Sequence, residues 1–180
     1  FWLKPSLVPE QKIRAPLAPV ESVPMIRCIF VVNNQGKPRL VRFYTEVPLD
    51  RQKHTLQTVY RIVSNRLDDH CCCFAEDEAL FGEDHKIIYR HFATLYFIFV
   101  VDSAESELGI LDLIQVFVQV LDSCFENVCE LDLIYHFDRV NYILDELVMA
   151  GMVLETNADL VLQSIKETKK LEGEGSIFGL

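Results

Sequence analysis

The chain has 180 residues, half of them hydrophobic and 24% charged, and a formal charge of −10 at pH 7. This length fits one domain with a sizeable core. The acidic balance argues against nucleic acid, which needs clustered Lys and Arg, and against direct docking on anionic lipid. Its six cysteines do not suggest a disulfide scaffold in a chain this long, and reduced cytosolic thiols are expected. No stretch is expected to reach the ~20 apolar residues of a transmembrane helix.

Residues 1–24 differ in composition from the rest and predict an extended or disordered leader. Five of the seven prolines lie in it: Pro5, Pro9, Pro16, Pro19 and Pro24. Met25 directly precedes the first strand pattern, so we expect it to be the natural start. A genuine extension is the alternative.

From Met25 the pattern predicts a hairpin, a helix and a second group of strands. Alternating apolar residues begin at Ile26, a turn follows at 33–36, and a second strand covers 39–44. Asp50 is the expected N-cap of a helix that carries Leu56, Val59, Tyr60, Val63 and Leu67. A short strand at 71–74, an acidic loop at 76–84 and two strands at 86–90 and 93–101 come next.

The last third of the chain predicts helices. One apolar stripe indicates a helix buried on more than one side, and its members are Ile110, Leu113, Ile114, Phe117, Val118 and Leu121. A second helix carries Val140, Ile143, Leu144 and Leu147, with Gly151 at its C′ position. Thr156 or Asn157 is expected to cap a final helix at 158–170, and 171–180 to form a flexible tail. This order predicts an α+β domain at 25–170, a five-stranded antiparallel sheet flanked by helices.

The candidate catalytic and metal sites lack necessary parts. His70 to Cys73 supplies three adjacent thiols, but consecutive strand residues point to opposite faces and cannot converge on one ion. No local signature pairs a cysteine with a histidine. Glu130 and Asp132 diverge on a helix, and Gly36 and Gly82 open no phosphate loop. No catalytic residue, metal or other cofactor is therefore predicted.

Several segments, in this order, resemble the sigma (small) subunits of the adaptor-protein complexes that build vesicle coats. They are Met25–Arg27, Gly36–Leu40, Tyr89–Phe97 and Asn127–Leu133. The resemblance covers about residues 25–165. The run 106–118 and the long acidic loop are most similar to the sigma type of adaptor complex three, which has a delta-type large adaptin.

The resemblance implies a longin-like fold and a non-enzymatic role in intracellular protein transport. Such a subunit assembles with delta-type and beta-type large adaptins and a medium (mu) adaptin, depends indirectly on an Arf-type small GTPase, and associates peripherally with membranes through the complex. The resemblance also implies a location in the cytoplasm and on the cytoplasmic face of Golgi, endosomal and vesicle membranes. In clathrin-adaptor relatives the sigma subunit holds the acidic dileucine signal of cargo tails, acidic-x-x-x-Leu-Leu/Ile.

By the same resemblance, the pocket for the two leucines falls on Ala93, Leu95, Val118, Val128 and Leu133, with Asn127 beside it. Arg39 falls on the basic position that serves the acidic end of the signal, a role that the resemblance implies is shared with the large subunit. Taken alone, the apolar residues fit core packing equally well, because periodicity cannot separate a core from a pocket. Thr94 departs from the relatives that carry glycine there. The alternatives are a longin-type regulatory domain of a SNARE or small GTPase and, from another class, a thiol-dependent enzyme.

Overall fold

The computed structural model describes residues 25–65, 72–75 and 85–175, and these form an antiparallel sheet with helices on both faces. The strands are β1 Ile26–Asn33, β2 Pro38–Phe43, β3 Cys72–Ala75, β4 His85–Phe92, β5 Leu95–Asp102, β6 Val148–Met149 and β7 Met152–Val153. The helices are α1 Leu49–Ser64, α2 Glu107–Phe125, α3 Glu130–Tyr135, α4 Phe137–Leu147 and α5 Ala158–Gly175. The predicted α+β, antiparallel design is confirmed.

The strand order β2-β1-β5-β4-β3 puts the two most apolar strands, β1 and β5, at the centre. They pair antiparallel from Ile26 opposite Val101 to Asn33 opposite Leu95. Nearly every side chain of both strands is buried. The β-branched and aromatic residues of these strands suit a pleated surface that is covered on both sides.

Helices cover the two faces of the sheet unequally. Odd-numbered positions such as Ile29, Val31, Phe97 and Phe99 pack with α2, α4 and α5 in the larger cluster. Even-numbered positions of β1 and β5 pack with Val59 and Val63 of α1 in the smaller cluster. They include Phe30, Val32, Ile98 and Val100. The period-two alternation of strands therefore separates one apolar run into two cores.

Helix α2 is the main cover of the larger face. Its buried side chains are Ile110, Leu113, Ile114, Phe117, Val120 and Leu121, close to the predicted stripe. At 19 residues and a hydropathy of 1.6, it is long and apolar enough to cross a membrane, so the expectation that no stretch reaches this limit was wrong. Because these side chains lie in the core, α2 is a core helix of this fold.

Two predicted helix caps have different outcomes. Asp50 is not an N-cap, because α1 begins at Leu49 directly after Pro48 and Asp50 lies in its first turn. Asn157 does cap α5, since its Oδ1 accepts from the backbone N–H groups of Asp159 and Leu160 at 3.0 and 3.4 Å.

The segment after α4 also differs from the prediction. Helix α4 gives way at Val148 to the small hairpin β6–β7, and Gly151, expected as a helix C′ residue, lies in its turn with φ +82°. Helix α5 runs to Gly175, five residues beyond its predicted end. The leader at 1–24 and the acidic loop at 76–84 lie outside the described residues, as do the side chains of the 70–73 thiol cluster.

Candidate functional site

A cleft of about 560 Å³ opens where the β4–β5 turn, the second half of α2 and the start of α3 meet. We call it the α2–α3 cleft. Its walls are Phe92, Ala93, Thr94, Leu95, Phe97, Gln115, Val118, Gln119, Asp122, Val128, Cys129, Glu130 and Leu133. The structure thus brings the five apolar residues assigned by resemblance around one cavity, although they come from three separate parts of the chain.

The five apolar residues lie at different depths in the cleft. Leu133 and Leu95 are 1% and 8% exposed and belong to the larger core cluster, so they form the floor. Val118 and Val128 are half-buried and form the sides, whereas Ala93 is exposed on the turn with φ +51°. The floor of the cleft is therefore also the surface of the core.

A tight reversal between α2 and α3 brings Val128 to the cleft. Glu126 and Asn127 adopt left-handed backbone angles, φ +54° and +80°, and so end α2. The Val128 N–H then donates to Asp122 Oδ1 at 3.1 Å, which ties the reversal to the last turn of α2. Asn127 lies in this reversal and does not line the cleft itself.

Asp132 fixes the start of α3. Its Oδ2 accepts from the Cys129 N–H at 2.8 Å, and this hydrogen bond lowers the pKa of the carboxyl. The bond closes the first turn of a helix of only six residues. As a result Leu133 points to the floor and Glu130 to the rim.

Arg39 lies on β2 beside the cleft and is paired with Glu130, which lines the cleft. The Nε and Nη2 atoms of Arg39 lie 2.7 and 2.6 Å from Glu130 Oε1, and Asn33 Nδ2 donates to the same oxygen at 3.0 Å. The Arg39 hydrogen bond is the largest cause of a lowered pKa at Glu130. The Asn33 amide and, to the least extent, the Thr94 side chain lower the same pKa further. Glu130 is therefore an ionised group at the mouth of the cleft.

Sequence reasoning missed the position of Glu130. Its partners Arg39 and Asn33 are 91 and 97 residues away, and no local pattern reports a pairing of that separation. Thr94, noted as a departure from the relatives, lines the same cleft as Glu130. The predicted divergence of Glu130 and Asp132 is confirmed, because their carboxylates serve Arg39 and the Cys129 backbone respectively.

Two further clefts lie near this site. A groove of about 600 Å³ between β2 and α4 begins at Arg39, and its other walls include Arg42, Phe137 and Asp145. Arg42 Nη2 bonds both oxygens of Asp145 at 2.9 and 3.0 Å, so its charge is already neutralised. A cavity of about 420 Å³ lies between α4 and α5. Neither contains a residue predicted for the leucine pocket.

Comparison with known proteins decides the family. The model of the clathrin adaptor complex small chain matches residues 25–172, which is nearly all of the described chain. The chain belongs to the clathrin adaptor small chain family. As an adaptor small chain it is a structural trafficking subunit and not an enzyme, which removes the thiol-dependent enzyme from consideration.

Relatives of this small chain place it with one type of adaptor. It is 57% identical over 155 residues to the human "AP-3 complex subunit sigma-2", covering 85% of this chain and 80% of that protein. The "AP-3 complex subunit sigma" of Dictyostelium discoideum is 52% identical over 151 residues, 82% of this chain and 88% of that one. The "AP-3 complex subunit sigma" of Arabidopsis thaliana is 42% identical over 156 residues, which cover 87% of this chain and 93% of that protein.

The fold of the small chain agrees with this relationship. A chain from a homology model of the full-length AP-3 complex in a stretched open conformation superposes with a TM-score of 0.63 at 42% identity. The match covers 86% of this small chain and all of the other. The resemblance found in the sequence motifs is confirmed by the family, the relatives and the fold.

Proposed function

We propose that this small chain contributes to the recognition of acidic dileucine sorting signals within a vesicle adaptor complex, and that the α2–α3 cleft holds the two leucines. One observation carries the proposal. Ala93, Leu95, Val118, Val128 and Leu133, scattered over 41 positions of the sequence, line a single cleft. Their common wall is apolar, as a site for leucine side chains requires.

The dimensions of the cleft support this ligand. Its volume of about 560 Å³ falls within the roughly 300–1,000 Å³ typical of small-ligand pockets. Burial of each leucine side chain contributes about 1.5–3 kcal/mol. Ordering a flexible tail costs several kcal/mol, so a single signal binds at about micromolar affinity, ~8 kcal/mol. Clustering of many adaptors on a membrane raises the effective affinity through avidity.

The acidic end of the signal is assigned to Arg39. Its Nε/Nη2 edge faces Glu130, whereas Nη1 makes only a long contact of 3.5 Å with the Pro38 carbonyl. The outer edge of the guanidinium is therefore available to a second acceptor. Asn127 has a supporting role, because its left-handed backbone sets the position of Val128.

Assembly and location follow from the relatives. We propose that the chain assembles with delta-type and beta-type large adaptins and a medium (mu) adaptin, because similar proteins are named as AP-3 complex subunits. The complex then binds cargo tails on the cytoplasmic face of Golgi, endosomal and vesicle membranes, with an Arf-type small GTPase acting indirectly. The net charge of −10 opposes direct contact of this chain with anionic lipid, so the large subunits make that contact.

The deciding experiment measures peptide binding to the assembled complex carrying Val118→Asp. Val118 is a half-buried wall of the cleft, and a carboxylate there would be desolvated by a bound leucine. We expect loss of dileucine binding by at least about 10-fold, with the complex intact, in fluorescence polarisation titrations. Unchanged peptide affinity would contradict the pocket.

The matched control is Leu108→Asp on the same helix. Leu108 is 72% exposed and lies outside the cleft, so it introduces the same charge without entering the site. It should bind the peptide as the wild type does. Leu133→Ser is a poorer test, because Leu133 is 1% exposed and its loss destabilises the core itself.

A further inference from the structure

We propose that Arg90 forms a second basic subsite of the α2–α3 cleft, for an acidic side chain within two positions after the two leucines. The inference rests on the proposed dileucine site and adds a contact at the end of the cleft opposite Arg39. The ligand class becomes a peptide with carboxylates on both sides of its leucine pair.

Arg90 and Arg39 lie on opposite sides of the cleft floor. The successive cross-strand partners on β2, β1, β5 and β4 are Leu40, Val31, Phe97 and Arg90. Arg39 directly precedes Leu40, so its strand is three strand spacings from that of Arg90, roughly 14–15 Å. Phe97, which lines the cleft, lies between them. Because directly opposite residues share one face of a sheet, Arg90 lies on the face that carries the cleft.

Two walls of the cleft hold the Arg90 side chain. Its Nη1 donates to Gln115 Oε1 at 2.9 Å, and its guanidinium carbon lies 5.4 Å from the centre of the Phe92 ring. Gln115 and Phe92 both line the cleft. Arg90 is half-buried, so its charge is held beside the apolar wall. A ligand that fills the cleft therefore meets this guanidinium at the Gln115 end.

The charge of Arg90 is not neutralised within the part of the chain that the structure describes. The Arg and Lys side chains that pair with carboxylates there are Arg27, Arg39, Arg42 and Lys86. Gln115 is a neutral acceptor and occupies one of the five N–H donors of the Arg90 guanidinium. The remaining donors suit a carboxylate, which binds a guanidinium through charge-assisted hydrogen bonds.

The length of the signal fits the span between the two arginines. From its acid to its second leucine, an acidic-x-x-x-Leu-Leu signal advances five residues, at most ~18 Å. With the acid at Arg39 and the leucines in the cleft, the next residues leave the cleft at the Arg90 end. A carboxylate there is attracted by Arg90, whereas an amide of the same size forms no ion pair. The net charge of −10 disfavours an acidic peptide elsewhere on this chain, so the preference should depend on Arg90.

The experiment compares peptides on the assembled complex by fluorescence polarisation. The acidic-tail peptide is Glu-Ser-Ser-Ser-Leu-Leu-Glu-Glu, and the neutral-tail peptide ends in Gln-Gln instead. The wild type should bind the acidic-tail peptide about 5-fold more tightly. Increasing salt should reduce this ratio towards one, since the subsite is open to solvent. These two measurements need no variant to fold.

Variants at Arg90 locate the preference. Arg90→Gln removes the charge, and the ratio between the two peptides should fall to about one. Arg90→Lys keeps the charge and should retain a ratio of at least ~2-fold. Arg61→Gln is the control, because Arg61 is exposed on α1 at the other face of the sheet, and it should leave the ratio unchanged. In every variant, replacing the first Glu of the peptide by Gln should weaken binding as much as in the wild type, because Arg39 is unaltered.

Each outcome decides one claim. A wild-type ratio near one, or a ratio that Arg90→Gln leaves unchanged, overturns the Arg90 subsite while leucine-dependent binding stands. Equal weakening of both peptides in Arg90→Gln means that Arg90 only supports the cleft wall, which also overturns the subsite. A Glu-Ser-Ser-Ser-Ala-Ala-Glu-Glu peptide that binds as well as the acidic-tail peptide contradicts the proposed leucine pocket and this inference with it.

Discussion

Gly151 and Ile26 meet backbone to backbone where the β6–β7 hairpin crosses the start of β1. The Ile26 N–H donates to the Gly151 carbonyl at 2.8 Å. Gly151 has φ +82°, and a Cβ added to it would lie 2.5 Å from the Ile26 carbonyl oxygen. The hairpin thus extends the sheet's hydrogen bonding to the end of its central strand, and this position has no room for a side chain.

Replacement of Gly151 by alanine should therefore destabilise the chain. The left-handed backbone angle and the clash with a main-chain oxygen act together, and we expect a loss of about 2–4 kcal/mol in the free energy of unfolding. Urea unfolding followed by circular dichroism measures it. Gly109→Ala is the control, because its Cβ would make ordinary contacts of 3.5 Å with Ser106 in α2. Equal stability of the two variants would contradict the prediction.

Acid should weaken the polar rim of the cleft. The Arg39 bond lowers the pKa of Glu130 from 4.5, and the Cys129 N–H lowers that of Asp132 from 3.8. A carboxyl with a lowered folded-state pKa stabilises the fold above its unfolded value and loses this contribution as the pH falls through its folded value. Between about pH 5 and pH 3, the wild type should lose more unfolding free energy than Glu130→Gln/Asp132→Asn. Urea unfolding across this range tests it, with Asp112→Asn as the control expected to follow the wild type.

Cysteine reactivity should report on the cleft. Cys129 is exposed and lines it, whereas Cys28 is buried under the sheet and burial raises the pKa of its thiol. At neutral pH, N-ethylmaleimide should modify Cys129 at least about 10-fold faster than Cys28. Peptide mapping by mass spectrometry gives the two rates. A bound dileucine peptide should slow the modification of Cys129 and leave that of Cys28 unchanged. Without peptide, similar modification rates at the two cysteines would contradict the open cleft wall at Cys129.

The sequence predicted the helices and strands whose apolar residues form a regular stripe or a continuous run. The stripe of Val140, Ile143, Leu144 and Leu147 is buried on α4, and the apolar strand from Leu95 lies at the centre of the sheet. It did not predict β6 and β7, because strands of two residues show no alternation. The Asp50 cap was wrong because the fixed φ of Pro48 can begin a helix without a side-chain bond.

The site was predictable only in part, and for a physical reason. Leu95 and Leu133 have the composition and spacing of core residues because they are core residues, so only the family resemblance directed attention to them. The pair Arg39 and Glu130 was inaccessible to local patterns, since each alone is typical of a solvated surface charge. Contacts of that separation are decided by the packing of β2 against α3.

The shared floor of the α2–α3 cleft links the occupancy of the cleft to the stability of the fold, two properties that are usually independent. Leu133 and Leu95 are at once the bottom of the cleft and part of the packing between the sheet and the helices. A side chain that fills the cleft extends this packing outward, so occupancy and resistance to unfolding rise together. A substitution at Leu95 or Leu133 therefore alters the core and the cleft together.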